Sequence, residues 1–373
     1  MVQLTSIYHI QQYIDTFALG HYARVLEAVD LRSGETIAFK VLRPEHLLAD
    51  GDMRWEYQAF GAEAALLMAL KDSPIVVKLR DCGFVETIAE APQSGELESF
   101  GTDANRFQKA LASYAAKSWR PYLSLELLPR TDNLLYLMKP AQMGVRRRLP
   151  SEEGLTLALQ FASLLSFAHQ QRIVYLDHKL EHIYWDGANL RLIDLNSSRQ
   201  LQGSASDTQE YAKDIHNLCV GILYPLFTGM APQKTTLRPQ PGGMDVVESR
   251  YSDVQTLDFG METSLSPALQ ALLQRGAAQG YSTIQDFIRE LQKVAALHGR
   301  DFPESYATPA SRAARDHLRE GLKHLREGEA HLRAARERLH DAAALDDLTP
   351  DLEDELRRLI VAINEMLNHR VIP

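Results

Sequence analysis

An apolar framework broken by charge at fixed places runs from Ile173 to Asn196, and no other stretch limits so tightly what this chain can fold into. Ile173-Val174-Tyr175-Leu176 leads into Asp177, with Lys179 and His182 close behind it, and Leu192-Ile193 sets a second carboxylate, Asp194, behind a short apolar strand. These are the constituents of a phosphoryl-transfer site. Such chemistry needs an acceptor near the incoming hydroxyl, cations against the phosphates, and oxygen ligands for a divalent metal. Taken singly, each residue better suits a buried group that merely caps a neighbouring turn.

The rest of the pattern lies upstream. Ile37-Ala38-Phe39-Lys40-Val41-Leu42 is an apolar run interrupted by one lysine, the pattern of a strand whose buried cation must have an anionic partner. Phe60, Glu63, Leu66, Leu67 and Leu70 recur at helical spacing farther on, which puts the acid Glu63 close to an apolar stripe and makes it the expected partner of Lys40.

In this order, the segments resemble the eukaryotic-type Ser/Thr protein kinase family, as a divergent member. Asp177, Lys179 and Asp194 match its catalytic and metal-binding loops, whereas Tyr175, Leu176, His182, Leu195 and Asn196 depart from them. The resemblance implies an α+β, bilobal protein-kinase-like fold, with a small lobe of antiparallel β-sheet plus one main helix and a mainly α-helical large lobe. It implies ATP as the nucleotide. Lys40, held by Glu63, would face the α- and β-phosphates; Asp177 would orient the attacking hydroxyl; Lys179 would hold the transferred phosphoryl; Asp194 would ligate the metal. Gly20 stands in the place of the phosphate-covering hairpin, where Ala18 and Ala23 replace the usual glycines and would weaken nucleotide binding. The Glu126 carbonyl and the Leu128 amide would receive the adenine edge. His182 sits where the second metal ligand is normally an amide oxygen; imidazole suits Mn²⁺ better than Mg²⁺, so either ion is a candidate.

The departures carry information too. Asp214 resembles the buried aspartate that opens the central large-lobe helix and braces the catalytic loop, which compresses the activation segment to 195–213. That segment holds no Ala-Pro-Glu motif, and Leu176 replaces the arginine that would answer a phosphorylated loop. Switching by activation-loop phosphorylation is therefore not expected.

Composition places these motifs in an ordinary globular chain of 373 residues, 45% hydrophobic and 24% charged. A net charge of -9 argues against general affinity for nucleic acid. Cys82 and Cys219 are the two cysteines, which suggests no disulfide framework and a reducing compartment. Neither a cleavable signal nor a membrane-length apolar run is recognisable, so a cytoplasmic location without membrane contact is expected.

Along the chain, residues 1–130 read as the small lobe, 131–298 as the large lobe, 299–310 as a linker and 311–373 as a C-terminal α-helical hairpin. An insertion at about 87–120 includes a short amphipathic helix with Phe107, Leu111 and Tyr114; a decorated loop is the preferred reading over a partner-binding element. A helix is expected from an N-cap at Ser151. In the tail, Leu318, Leu325, Leu332 and Leu339 recur every seventh residue, but Glu329 and Arg336 spoil the complementary positions, favouring packing within the chain over a long dimer. A following helix from Thr349-Pro350 would present Leu352, Leu356, Leu359, Ile360, Ile363 and Leu367 as its apolar face.

Two functions of different class follow. One is an ATP-dependent phosphotransferase, most simply a Ser/Thr protein kinase acting on a protein substrate. The other is a pseudokinase scaffold or nucleotide sensor that works through a protein partner at its C-terminal helices. A small-molecule phosphotransferase or a nucleotidyltransferase is a third reading.

Overall fold

A computed structural model describes residues 1–14, 22–47, 53–138, 146–204, 207–233, 237–298, 324, 327–328, 330–345 and 348–368. The chain divides into two compact units, Met1–His298 and Gly299–Pro373.

The first unit is mixed α and β. Strands β1 (Val2–Gln3), β2 (Tyr8–Tyr13), β3 (Ala23–Asp30) and β4 (Thr36–Leu42) precede helix α1 (Trp55–Ala69); β5 (Leu79–Val85), β6 (Glu96–Ser99), α2 (Ala104–Ala115) and β7 (Arg120–Glu126) follow. They form one antiparallel seven-stranded sheet in the order β1-β6-β5-β7-β4-β3-β2. Strand alternation decides what the cleft receives. Along β4, Ile37, Phe39 and Val41 join a core on one face with Tyr8 and Tyr122, whereas Ala38 and Leu42 join the core shared with α1. Lys40 has the parity of Ala38 and Leu42, and so emerges on the α1 side.

The segment read as a decorated insertion is built into this half. Its strand β6 joins the sheet between β1 and β5, and α2, capped by the Asp103 side chain on the Arg106 amide at 3.0 Å, packs along α1. Phe107 and Leu111 are buried, and Tyr114 stacks on Phe84 with centroids 4.2 Å apart. The amphipathic helix is where its periodicity put it, and its apolar face is covered by α1 of the same unit. Gly61 makes the approach possible: a Cβ there would lie 2.6 Å from Leu111 Cδ1.

The remainder of the first unit is largely helical. It comprises α3 (Leu134–Met138), α4 (Ser151–Gln170), β8 (Ile173–Val174), β9 (Ile183–Trp185), β10 (Leu190–Leu192), β11 (Arg199–Gln200), α5 (Asp207–Asn217), a π-turn (Leu218–Leu223), α6 (Tyr224–Thr228), α7 (Met244–Ser249), α8 (Pro267–Ala277) and α9 (Ile284–Leu297). Ser151 is the first residue of α4; its expected capping position falls to Pro150, whose carbonyl accepts from the Gly154 amide at 2.8 Å. Behind the cleft, the Val77 amide donates to the Leu192 carbonyl at 3.0 Å and the Leu192 amide to the Ile75 carbonyl at 2.8 Å, tying β10 to the sheet half.

In the second unit, helix α10 (330–343) and helix α11 (Pro350–Asn368) are joined by a hydrogen bond from Arg336 Nη1 to Asn364 Oδ1 at 3.4 Å. Leu356 and Leu367 are buried, but Leu352 and Leu359 of the expected apolar face are exposed. Leu318, Leu325 and Glu329 of the seven-residue repeat, like the expected linker 299–310, lie outside the described residues. Among the described residues no helix is long and apolar enough to cross a membrane.

Replacing Gly61 by Leu should force α1 and α2 apart and destabilise the chain by about 1–3 kcal/mol. Adding Leu111→Ala should recover part of this in urea unfolding; a double variant no more stable than the single would show that the α1–α2 contact is not what Gly61 serves.

Candidate functional site

A cavity of about 700 Å³ opens between the sheet half and the helical half, and Lys40 reaches into it from β4. Lys40 Nζ lies 2.8 Å from Glu63 Oε2 and 2.9 Å from Asp194 Oδ1, so strand, helix and loop meet at one ammonium. Glu63 is fully buried and Lys40 6% exposed. Burial alone would push Lys40 down, but Asp194 and Glu63 outweigh it and hold the amine well above its ordinary range. Burial also raises Glu63, and Lys40 reverses this only in part. Asp194 goes the other way: although desolvation opposes it, with the side chain 22% exposed, Lys40 and His182 keep its carboxyl well below the usual carboxylate range. The ring of Tyr22 lies 5.8 Å from the ammonium.

The loop carrying Asp177 is braced from behind. Asp214 accepts from the amides of Tyr175 at 2.9 Å and Leu176 at 2.8 Å, and His169 Nε2 lies 3.0 Å away. This aspartate was expected to open its helix; it lies inside α5, which begins at Asp207 because the earlier residues continue the helix toward the chain's N-terminal side. Asn217 Nδ2 adds a bond to the Leu176 carbonyl at 3.0 Å. Leu176 and Asp194 both adopt left-handed backbone, φ 65° and 64°. For a branched residue such as Leu176 this is a strained conformation that the surrounding hydrogen bonds must impose.

Asp177, 3% exposed, meets three cationic or ring nitrogens. Lys179 Nζ is 3.2 Å from Oδ2, His182 Nδ1 is 3.6 Å from the same oxygen, and Arg250 Nη1 donates to Oδ1. Burial opposes ionisation here, but His182, Lys179 and Arg250 prevail and hold the carboxyl below its ordinary value of 3.8. His182 spans the two acidic loops, because its Nε2 lies 3.2 Å from Asp194 Oδ2. Tyr175 hydroxyl, 3.3 Å from His182 Nδ1, orients the ring.

Of the residues singled out from sequence, Lys40, Glu63, Asp177, Lys179, His182 and Asp194 all border the one cavity. Glu126 and Leu128 also border it. The Glu126 side chain is engaged by both terminal nitrogens of Arg191, and it also accepts from the Lys78 amide at 3.3 Å, so it clamps β7 to β10. Gly20 lies outside the described residues. Sequence reasoning passed over Arg250, Tyr175 and Arg191. The Tyr175 position was noted only as a departure, and nothing near Ser249-Arg250-Tyr251 marks a partner 73 residues away.

Among the described residues no group of three or more His, Cys, Asp or Glu side chains is arranged to hold a metal ion by itself. Asp194 and His182 are the nearest approach to such a pair on the cavity wall. Searched against protein-family models, the chain matches none.

The site should show itself in acid. His178, fully buried and stacked on Phe161, is held below its ordinary 6.5 chiefly by burial, and neither ring nitrogen has a hydrogen-bond partner among the described residues. A depressed folded value means that the unfolded chain binds the proton more readily, so stability present above pH 6.5 is lost as pH falls through the folded value. Asp177, Asp194 and Asp214, all depressed, add a second loss below their ordinary 3.8. In urea midpoints measured against pH, His178→Leu should remove the first decline and keep the second. An unchanged first decline would assign it elsewhere.

Proposed function

We propose that this chain is an ATP-dependent phosphotransferase with a bilobal protein-kinase-like fold, the sheet half serving as small lobe and the helical half as large lobe. The observation that carries the reading is the contact of Lys40 with both Glu63 and Asp194, 2.8 and 2.9 Å, at the wall of a cavity that also holds Asp177 and Lys179. A cation drawn from a strand and an acid drawn from a loop across the cleft are what a triphosphate requires. Its volume falls within the range of small-molecule sites.

Lys40, fixed by Glu63, would face the phosphates; Lys179, 3.2 Å from Asp177, would meet the transferred group; Asp177 would accept the hydrogen bond of the attacking hydroxyl. A divalent ion would share the Asp194 carboxylate with phosphate and water oxygens. His182 would add an imidazole nitrogen only by turning its Nε2 away from Asp194, 3.2 Å off, and a set of that kind suits Mn²⁺ at least as well as Mg²⁺. When bound, such an ion offsets negative charge on the phosphoryl group. Glu126 and Leu128, which border the cavity, would receive the adenine edge.

The scaffold reading has one observation in its favour: Arg250 already occupies an oxygen of Asp177. A pseudokinase built this way would bind nucleotide and act through a protein partner at its C-terminal helices. Two measurements separate the readings. ATP with Mg²⁺ or Mn²⁺ should raise the thermal midpoint, since a ligand of the native state stabilises it. Asp177→Asn should keep that shift while lowering ADP production by about 10²-fold or more. A midpoint unmoved by any nucleotide would end the phosphotransferase reading; nucleotide binding without turnover would leave only the scaffold, and turnover untouched by Asp177→Asn would rule out Asp177 as the base.

A further inference from the structure

The acceptor end of the cavity is closed by the chain itself. The Asp177 side chain is 4% exposed and that of Arg250 7%. Beyond its bond to Asp177 Oδ1, Arg250 donates from Nη2 to the Gln240 carbonyl at 3.0 Å. The Gln240 amide donates to Glu181 Oε1 at 2.6 Å, and the Tyr251 hydroxyl lies 2.9 Å from the His178 carbonyl and 3.1 Å from Gln240 Oε1. Both ends of the segment 240–251 are thus stitched to residues 177–181. Pro241 and Met244 of that segment border the same cavity as Lys40.

An acceptor hydroxyl must come within about 2.6–3.2 Å of an Asp177 oxygen. Oδ1 is taken by Arg250, and Oδ2 faces Lys179 and His182. Moving Arg250 aside for a neutral compound would strand a buried guanidinium, which is strongly unfavourable. A ligand that brings its own anion removes that penalty, because the planar guanidinium pairs as well with a phosphate or carboxylate as with Asp177.

We propose that the acceptor is a small hydroxyl compound carrying a phosphate or carboxylate, and that this anionic group takes Arg250 from Asp177 as the hydroxyl arrives. The inference rests on the phosphotransferase reading. In the transfer, the acceptor oxygen bonds to the γ-phosphorus and the bond from that phosphorus to the β,γ-bridging oxygen breaks. ADP leaves with the electron pair, and the hydroxyl proton passes through Asp177 to solvent. The segment 240–251, bound down across the catalytic loop, leaves the acceptor to be compact instead of an extended peptide.

The test compares wild type with Arg250→Met and Arg250→Lys, each saturated with a non-hydrolysable ATP analogue and titrated with glycerol, glycerol 3-phosphate or glycerate. At about 10 mM probe the two anions should raise the wild-type thermal midpoint by about 2 °C and glycerol should not. Arg250→Met should lose the response, and Arg250→Lys, which keeps the charge without the fork, should retain part of it. No response to either anion, an equal response to glycerol, or an undiminished response in Arg250→Met overturns the proposal. An analogue that by itself leaves the midpoint unmoved counts against nucleotide binding instead, and the anion titration still reads Arg250 alone. With ATP and water as acceptor, Arg250→Met should turn over faster than wild type by about threefold or more, since Asp177 is then open; an equal or slower rate also overturns it.

Discussion

One buried ammonium organises this molecule. Lys40 is fixed between Glu63 and Asp194, and a charge so far from water is tolerable only because both carboxylates reach it. Each of the three positions is set by something larger. The alternation of β4 turns Lys40 away from the Phe39–Tyr122 core; α1 carries Glu63 and is itself braced by α2 across Gly61; Asp194 leaves β10 on a left-handed residue while β10 is bonded to 75–77. Loss of any one support would leave a carboxylate or an amine buried without its partner, which costs more than the pair contributes. The cavity lies where these three supports converge.

How much of this could be read from the chain depends on the range of the interaction. Lys40 and Glu63 were legible because an isolated lysine in an apolar strand and an acid beside a helical apolar stripe each signal their own burial, and burial of one demands the other. Asp177, Lys179 and Asp194 were singled out through the likeness of their spacing to kinase loops, and all three line the cavity. Helix α2 was visible in its periodicity, but its neighbour was not: periodicity says that Phe107 and Leu111 must be covered, and the small residue that admits them, Gly61, carries no signal of its own. Arg250 was invisible because an arginine beside a tyrosine on a short helix end has no pattern that points back to Asp177. Along α11, leucine spacing placed Leu352 and Leu359 with Leu356, but only Leu356 and Leu367 are buried, since apolar spacing gives a face without giving the width of what covers it.

The electrostatics of Asp177 bear on the chemistry proposed for the site. Its carboxyl is held ionised by His182, Lys179 and Arg250 against burial, and a carboxylate so stabilised binds a proton weakly. That would be a poor arrangement for an enzyme that must abstract a proton early. It suits phosphoryl transfer, in which the transition state is loose, the hydroxyl proton leaves late, and positioning with charge compensation does most of the catalysis. The same economy explains His182. Lying 3.6 Å from Asp177 and 3.2 Å from Asp194, it holds the two acidic loops at a fixed spacing. An amide in that place would offer oxygen to a metal but could not draw charge toward both carboxylates. On the phosphotransferase reading, the ring would trade part of a metal site for a rigid pair of acids, and movement of Arg250 would decide when Asp177 meets a hydroxyl.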